Sequence, residues 1–150
     1  MKLRQIMSPN PVCVTPQTPL VEAARQMEKI DCGFLPVTHE GRIEGVITDR
    51  DIVVRGLAHG RNPDRTTVRE CMSPSPLHCF EDDDVSVAVR AMENRQIRRL
   101  PVLNRSNQLV GIVSLGDLAI QTHDQRLSGE VLERVSVPTH PRAKAGTKAA

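Results

Sequence analysis

An α/β fold built from one module used twice is predicted by this sequence, because three different stretches each occur twice and in the same order. Leu3-Arg4-Gln5-Ile6-Met7-Ser8-Pro9-Asn10-Pro11 is echoed by Val68-Arg69-Glu70-Cys71-Met72-Ser73-Pro74-Ser75-Pro76, at an offset of 65 residues. Leu35-Pro36-Val37 recurs at the same offset as Leu100-Pro101-Val102. After one inserted residue, Gly45-Val46-Ile47-Thr48-x-x-Asp51 recurs as Gly111-Ile112-Val113-Ser114-x-x-Asp117. Three anchors in one order do not arise together by chance, so the chain reads as two repeats, residues 2–65 and 66–125, followed by a C-terminal segment, 126–150.

Each element has its own local signal. Thr18 followed by Pro19 reads as an N-cap and a first helical position, and Leu20, Ala23, Ala24, Met27 and Ile30 then keep helical spacing. In the second repeat Asp83 is placed to cap a helix whose apolar face is Val85, Ala88, Val89 and Met92, with acidic residues 81–84 near its positive end. A short apolar run containing a proline follows each helix, residues 35–38 and 100–103, and fits a strand with the proline at its start or on an edge. The turn-forming clusters 39–42 and 104–107 lead into β-branched runs at 43–47 and 109–113, so each pair is expected to be a hairpin. A second helix starts near each Thr/Ser-x-x-Asp, with Ile52, Val53 and Leu57 apolar in one repeat and Leu118, Ala119 and Ile120 in the other. The order is therefore β-α-β-β-α, twice. Residues 58–65 form a linker by their Gly, Asn, Pro and Asp content. Residues 128–135 are expected to make a short closing helix, and the Pro- and base-containing stretch beyond it a disordered tail.

Composition narrows the function classes. Of 150 residues 39% are hydrophobic, yet there is no Trp or Tyr and only two Phe, so the core is aliphatic and no aromatic platform for base stacking exists. A formal charge of +2 provides no electrostatic footprint for nucleic acid or a membrane surface. The N-terminus lacks a signal-peptide apolar region and no apolar run is long enough to span a bilayer, which predicts a cytoplasmic protein. Cys13, Cys32, Cys71 and Cys79 show no C-x-x-C spacing and read as buried free thiols, with a redox pair as the alternative. The five histidines lack metal-site spacing, and no phosphate-binding loop, nucleophile elbow or catalytic dyad occurs. No metal site, required cofactor or catalytic residue is expected.

The two Gly-h-h-[Ser/Thr]-x-x-Asp signatures, each after a Leu-Pro-Val strand and an amphipathic helix, resemble the paired cystathionine β-synthase (CBS) domain family over about residues 2–125. The run from Thr48 to Ala58 and the Gly-x-x-Pro-Asp linker also resemble its small stand-alone bacterial members. The resemblance implies an α+β pair packed about a pseudo-twofold axis (a Bateman module), adenosine-containing ligands in the clefts between repeats, and flat dimers. It also assigns Asp51 and Asp117 to the ribose hydroxyls.

The chemistry agrees with that assignment. A carboxylate accepts from two vicinal hydroxyls at once, with capping or beginning the second helix as the alternative for each Asp. Thr48 and Ser114, where a strand meets a helix, either meet a phosphate or cap that helix. Gly45 and Gly111 allow close backbone approach, or mark a bulge. Before the second Leu-Pro-Val stand Arg98 and Arg99, where the first repeat has Gly33 and Phe34, and the family commonly uses basic residues there for ligand phosphates. Arg50 decorates only the first Thr-x-x-Asp. The clefts should thus be inequivalent.

The leading reading is a regulatory module that senses AMP, ADP, ATP or S-adenosylmethionine and modulates a protein partner or its own assembly as a homodimer, and is not an enzyme. The alternatives are a redox- or metal-responsive stress protein and a purely structural dimerisation module.

Overall fold

The computed structural model describes residues 1–123 and 125–137. Its first half holds helix α1 (Leu20–Ile30), the hairpin strands β2 (Phe34–His39) and β3 (Arg42–Thr48), and the single turn α2 (Asp49–Asp51), which runs on as a π turn over Ile52–Gly56. The second half holds α4 (Val85–Arg95), the hairpin β6 (Arg99–Leu103) and β7 (Leu109–Ser114), α5 (Leu115–Gln121) and α6 (Gln125–Ser136). Three short strands, β1 (Ser8–Pro9), β4 (Ser73–Pro74) and β5 (Cys79–Phe80), and the turn α3 (Val68–Cys71) complete it.

Both hairpins carry the same β-bulge, between Val37 and Thr38 and between Val102 and Leu103. The first turns through Glu40 (φ 51°) and Gly41 (φ 77°), the two positive φ values that match a tight turn to the strand twist.

The sheets are not built repeat by repeat. Strand order is β2-β3-β4 in one and β1-β7-β6-β5 in the other, so each repeat contributes its leading Ser-Pro strand to the other repeat's hairpin. Ser73 and Pro74 pair with Val46 and Gly45, while Ser8 and Pro9 pair with Ile112 and Gly111. The exchange is mirrored bond by bond. Leu3 N–H donates to Asp83 O (3.0 Å) and Arg4 N–H to Glu81 O (2.9 Å); 65 residues on, Val68 N–H donates to Thr18 O (2.8 Å) and Arg69 N–H to Pro16 O (3.0 Å). This reciprocity is the pseudo-twofold relation of the pair.

Two aliphatic cores follow from it. Leu3 and Ile6 are buried with Val85, Met92, Leu100 and Val113, and Val68, Cys71 and Met72 with Leu20, Met27, Leu35 and Ile47. Residues three apart in a short helical turn put both side chains on one face, which is why so brief a segment can close a core.

The helix ends depart from the sequence expectation. Helix α1 begins at Leu20, with Pro19 extended (φ −62°, ψ 147°) as its N-cap and the Thr18 hydroxyl accepting from Thr15 N–H (3.0 Å) instead. Asp84, not Asp83, caps α4 by accepting from Ser86 N–H (3.1 Å); Asp83 turns the chain one step earlier by accepting from Phe80 N–H (2.8 Å). Val85, Ala88, Val89 and Met92 are buried as expected, whereas Ala24 is exposed.

After Asp51 Ile52 and Gly56, four residues apart, are buried, whereas Val53 and Leu57 are about half exposed because they lie on another face of the turn. In the second repeat Leu118 is buried while Ala119 and Ile120 are exposed. Helix α6 is longer than the 128–135 expected, and it packs Val131 and Val135 on the second core. The expected tail beyond 137 lies outside the described residues.

The motif glycines serve the exchange. A Cβ on Gly45 would stand 2.8 Å from Ser73 O, and one on Gly111 would stand 3.0 Å from Ser8 O, so the crossing strand can approach only a residue without a side chain. Gly45→Ala should therefore destabilise the chain by about 1–3 kcal/mol through overpacking. Chemical denaturation measures it, and a change within about 0.5 kcal/mol would mean that the crossing strand yields freely.

Candidate ligand cleft between the repeats

Strand β3 ends at Thr48, whose extended backbone (φ −116°, ψ 162°) turns into α2 through a reciprocal capping box. Thr48 Oγ1 accepts from Asp51 N–H (3.2 Å) and Asp51 Oδ2 accepts from Thr48 N–H (3.0 Å). Ser114 and Asp117 repeat this at 3.1 and 2.7 Å, and there the serine hydroxyl also donates to Asp117 Oδ2 (2.8 Å). Both motif carboxylates therefore do cap helices, each through Oδ2. Asp51 Oδ1 lies instead 3.8 Å from the Nε of Arg55.

Thr48 and Asp51 stand on the wall of a cleft of about 740 Å³. The crossing segment supplies a second wall through Ser73, Ser75, Pro76, Leu77 and His78, and the α4–β6 turn supplies Arg95, Ile97, Arg98 and Arg99. Phe34, Val46 and Pro101 make an apolar surface. A volume in this range suits a nucleotide-sized ligand. Three guanidiniums against one carboxylate make its mouth positive. Arg98 Nη2 donates to Ser136 Oγ of α6 (3.3 Å), which holds that side chain across the turn.

The structure thus brings Thr48, Asp51, Arg98 and Arg99 together, residues from different repeats. Ser114 lines another cavity of about 520 Å³, with Arg98, Arg99, Leu115, Gly116 and Leu132. Asp117 lines neither cavity, and Arg50 is exposed and lines neither. Sequence reasoning missed His78, Leu77, Arg95 and Phe34. The repeated Met-Ser-Pro-x-Pro, an anchor of the repeat, is also the signal for the crossing segment that carries His78.

The cysteines lie apart from this chemistry. All four are free, and Cys71 and Cys79 are buried. Burial, with the charge of Asp83 adding to it, pushes the Cys79 thiol up to about 11, and burial also raises Cys71 and Cys13, the latter partly offset by a hydrogen bond from Thr38. A thiol so shifted is protonated at neutral pH and a poor nucleophile. Among the described residues no three His, Cys, Asp or Glu side chains gather as a metal site, and no helix is long and apolar enough to cross a membrane.

Comparison with known proteins agrees with this architecture. The CBS domain profile matches residues 3–57 and 68–121. The CBS domain-containing protein YhcV of Bacillus subtilis is 36% identical over 134 residues, 89% of this chain and 94% of that protein. Hypoxic response protein 1 of Mycobacterium tuberculosis is 37% identical over 117 residues, 77% of this chain and 81% of that protein. The crystal structure of Hypoxic Response Protein I, described as having two coordinated zinc ions, superposes with a TM-score of 0.74 at 35% identity, covering 79% of this chain and 97% of that one. The CBS domain pair of protein MJ0100, in complex with 5′-methylthioadenosine and S-adenosyl-L-methionine, superposes with a TM-score of 0.73 at 27% identity, covering 82% and 96%. Two profile matches, one on each repeat, and relatives at 36–37% identity over most of their length show that the chain belongs to the CBS domain family as a tandem pair.

Proposed function

We propose that this CBS pair is a cytoplasmic, non-catalytic sensor that binds a phosphate-bearing adenosine ligand in the 740 Å³ cleft and passes its occupancy to a protein partner or to its own assembly. The observation that carries the reading is the convergence of Asp51 and Thr48 of one repeat with Arg98 and Arg99 of the other on one cleft. Asp51 accepts from the ribose hydroxyls, the apolar surface of Phe34, Val46 and Pro101 packs the adenine, and the guanidiniums meet the phosphate.

The ligands of MJ0100 support the adenosine part of this reading. The charge of the cleft favours AMP, ADP or ATP over S-adenosylmethionine, whose sulfonium is cationic. Ser114, with Arg98 and Arg99 beside it, leaves the second cavity as the weaker anion site, and Arg50 takes no part. The exposed Val53, Val54, Leu57 and Ile120 support homodimer formation through the second helices.

Isothermal titration with AMP, ATP and S-adenosylmethionine tests the reading. AMP binding should weaken about tenfold in Asp51→Asn, which keeps an oxygen for the Thr48 cap but turns the other acceptor into a donor. Absence of heat with all three ligands would sink the proposal.

A further inference from the structure

We propose that Arg55 is a positioning residue that couples the Asp51 carboxylate to the chain segment crossing between the repeats, an inference that rests on the nucleotide reading above. Arg55 follows Asp51 by four residues, and its Nε lies 3.8 Å from Asp51 Oδ1, the oxygen not used in the helix cap. Its Nη1 donates to Cys71 O (3.4 Å) and Met72 O (3.3 Å). These two carbonyls stand immediately before β4, the strand exchanged between repeats, and the chain that continues from it forms the Ser73-to-His78 wall of the cleft. One guanidinium therefore touches both an acid on the cleft and the backbone that leads into its other wall.

The local backbone is shaped for this reach. Arg55 lies within the π turn, where Leu57 N–H bonds back to Ile52 O, five residues away; such turns are rare and recur at functional sites. The next residue is Gly56, where a Cβ would come within 3.0 Å of Leu20 Cδ1, so the widened turn lies close on α1. The second repeat lacks the device. Four residues after Asp117 stands Gln121, exposed and uncharged, at the end of the regular helix α5. The link belongs to the first cleft alone.

The consequence is a route for the signal. A carboxylate oxygen has two lone pairs, so Asp51 Oδ1, aimed by Arg55, accepts from the ribose hydroxyls beside the guanidinium; with the ligand bound Arg55 stays locked between that oxygen and the Cys71 and Met72 carbonyls, and without it the Asp51 contact is open to water. A ligand can bias the crossing segment only by binding one of these two arrangements more tightly, and Arg55 is the group that distinguishes them.

The test uses the full chain with Arg55→Gln and Arg55→Lys, titrated with AMP and with 2′,3′-dideoxy-AMP, and hydrogen exchange of the amides in residues 71–78 at saturating ligand. In Arg55→Gln the affinity for AMP should fall about threefold to fivefold, the scale of a partly exposed ion pair, with the affinity for the dideoxy ligand unchanged. Arg55→Lys, which keeps the charge but not the fork, should fall between. The AMP-induced change in exchange of residues 71–78 should disappear in Arg55→Gln although AMP is bound. Equal losses with both ligands, no loss with AMP, or an undiminished exchange response would overturn the coupling. Failure of the wild type to bind AMP overturns the nucleotide reading and the coupling with it. Wild-type binding that depends on Asp51 but not on Arg55 overturns the coupling alone.

Discussion

Replacing Leu3 by Ala is expected to destabilise the chain by about 2–5 kcal/mol, as for a fully buried leucine, even though it stands in a single short turn outside the main helices and hairpins. Here Leu3 is 0% exposed and packs in the core of Val85, Met92, Leu100 and Val113, tied there by its own N–H on Asp83 O. The damage should therefore appear in the second half. Hydrogen exchange should accelerate first in β6, β7 and α4, while β2 and β3 keep their protection. Val68→Ala, at the matching position, should do the converse. A loss below about 0.5 kcal/mol, or a loss confined to the first half, would contradict the strand exchange as the organising contact of the pair.

The second large effect falls on the ligand. Changing Arg98 and Arg99 together to Gln should weaken AMP binding about a hundredfold, since two charge-assisted contacts to a phosphate are removed from one cleft. Binding of adenosine, which carries no phosphate, should change little. The wild-type affinity for AMP should also fall with added salt more steeply than that of the variant. Because Arg98 also donates to Ser136 Oγ, the single Arg99→Gln change separates phosphate contact from the attachment of α6. A parallel loss for AMP and adenosine would mean that these arginines shape the turn rather than meet an anion. An unchanged AMP affinity would move the anion site elsewhere.

Much of this molecule was legible residue by residue. Periodicity found α4 with its buried face of Val85, Ala88, Val89 and Met92, and β-branched runs flanking turn clusters found both hairpins. Repeated anchors at a constant offset established the pair, because a duplicated module carries its cues twice. The Thr-x-x-Asp and Ser-x-x-Asp turns were readable as caps, since a capping box spans only four residues. Local chemistry failed at the helix ends, where Asp83 and Asp84 are equivalent in sequence and only the direction of the chain leaving β5 chooses between them. It failed again past Asp51, where Ile52 and Gly56 take the buried face and leave Val53 and Leu57 about half exposed.

Tertiary structure alone decided which residues share a site. Nothing in the order of residues says that Leu3 closes the second core, that Gly45 exists to admit Ser73, or that Arg98 and Arg99 face Asp51 of the other repeat. Pattern and propensity act over one turn of helix or one pair of strands, so they determined the elements and their doubling. The cleft is made where two such units meet, by a short segment that crosses between them. Its composition depends on strand contacts between residues 27 to 104 positions apart, which burial of the two cores selects and no local preference encodes.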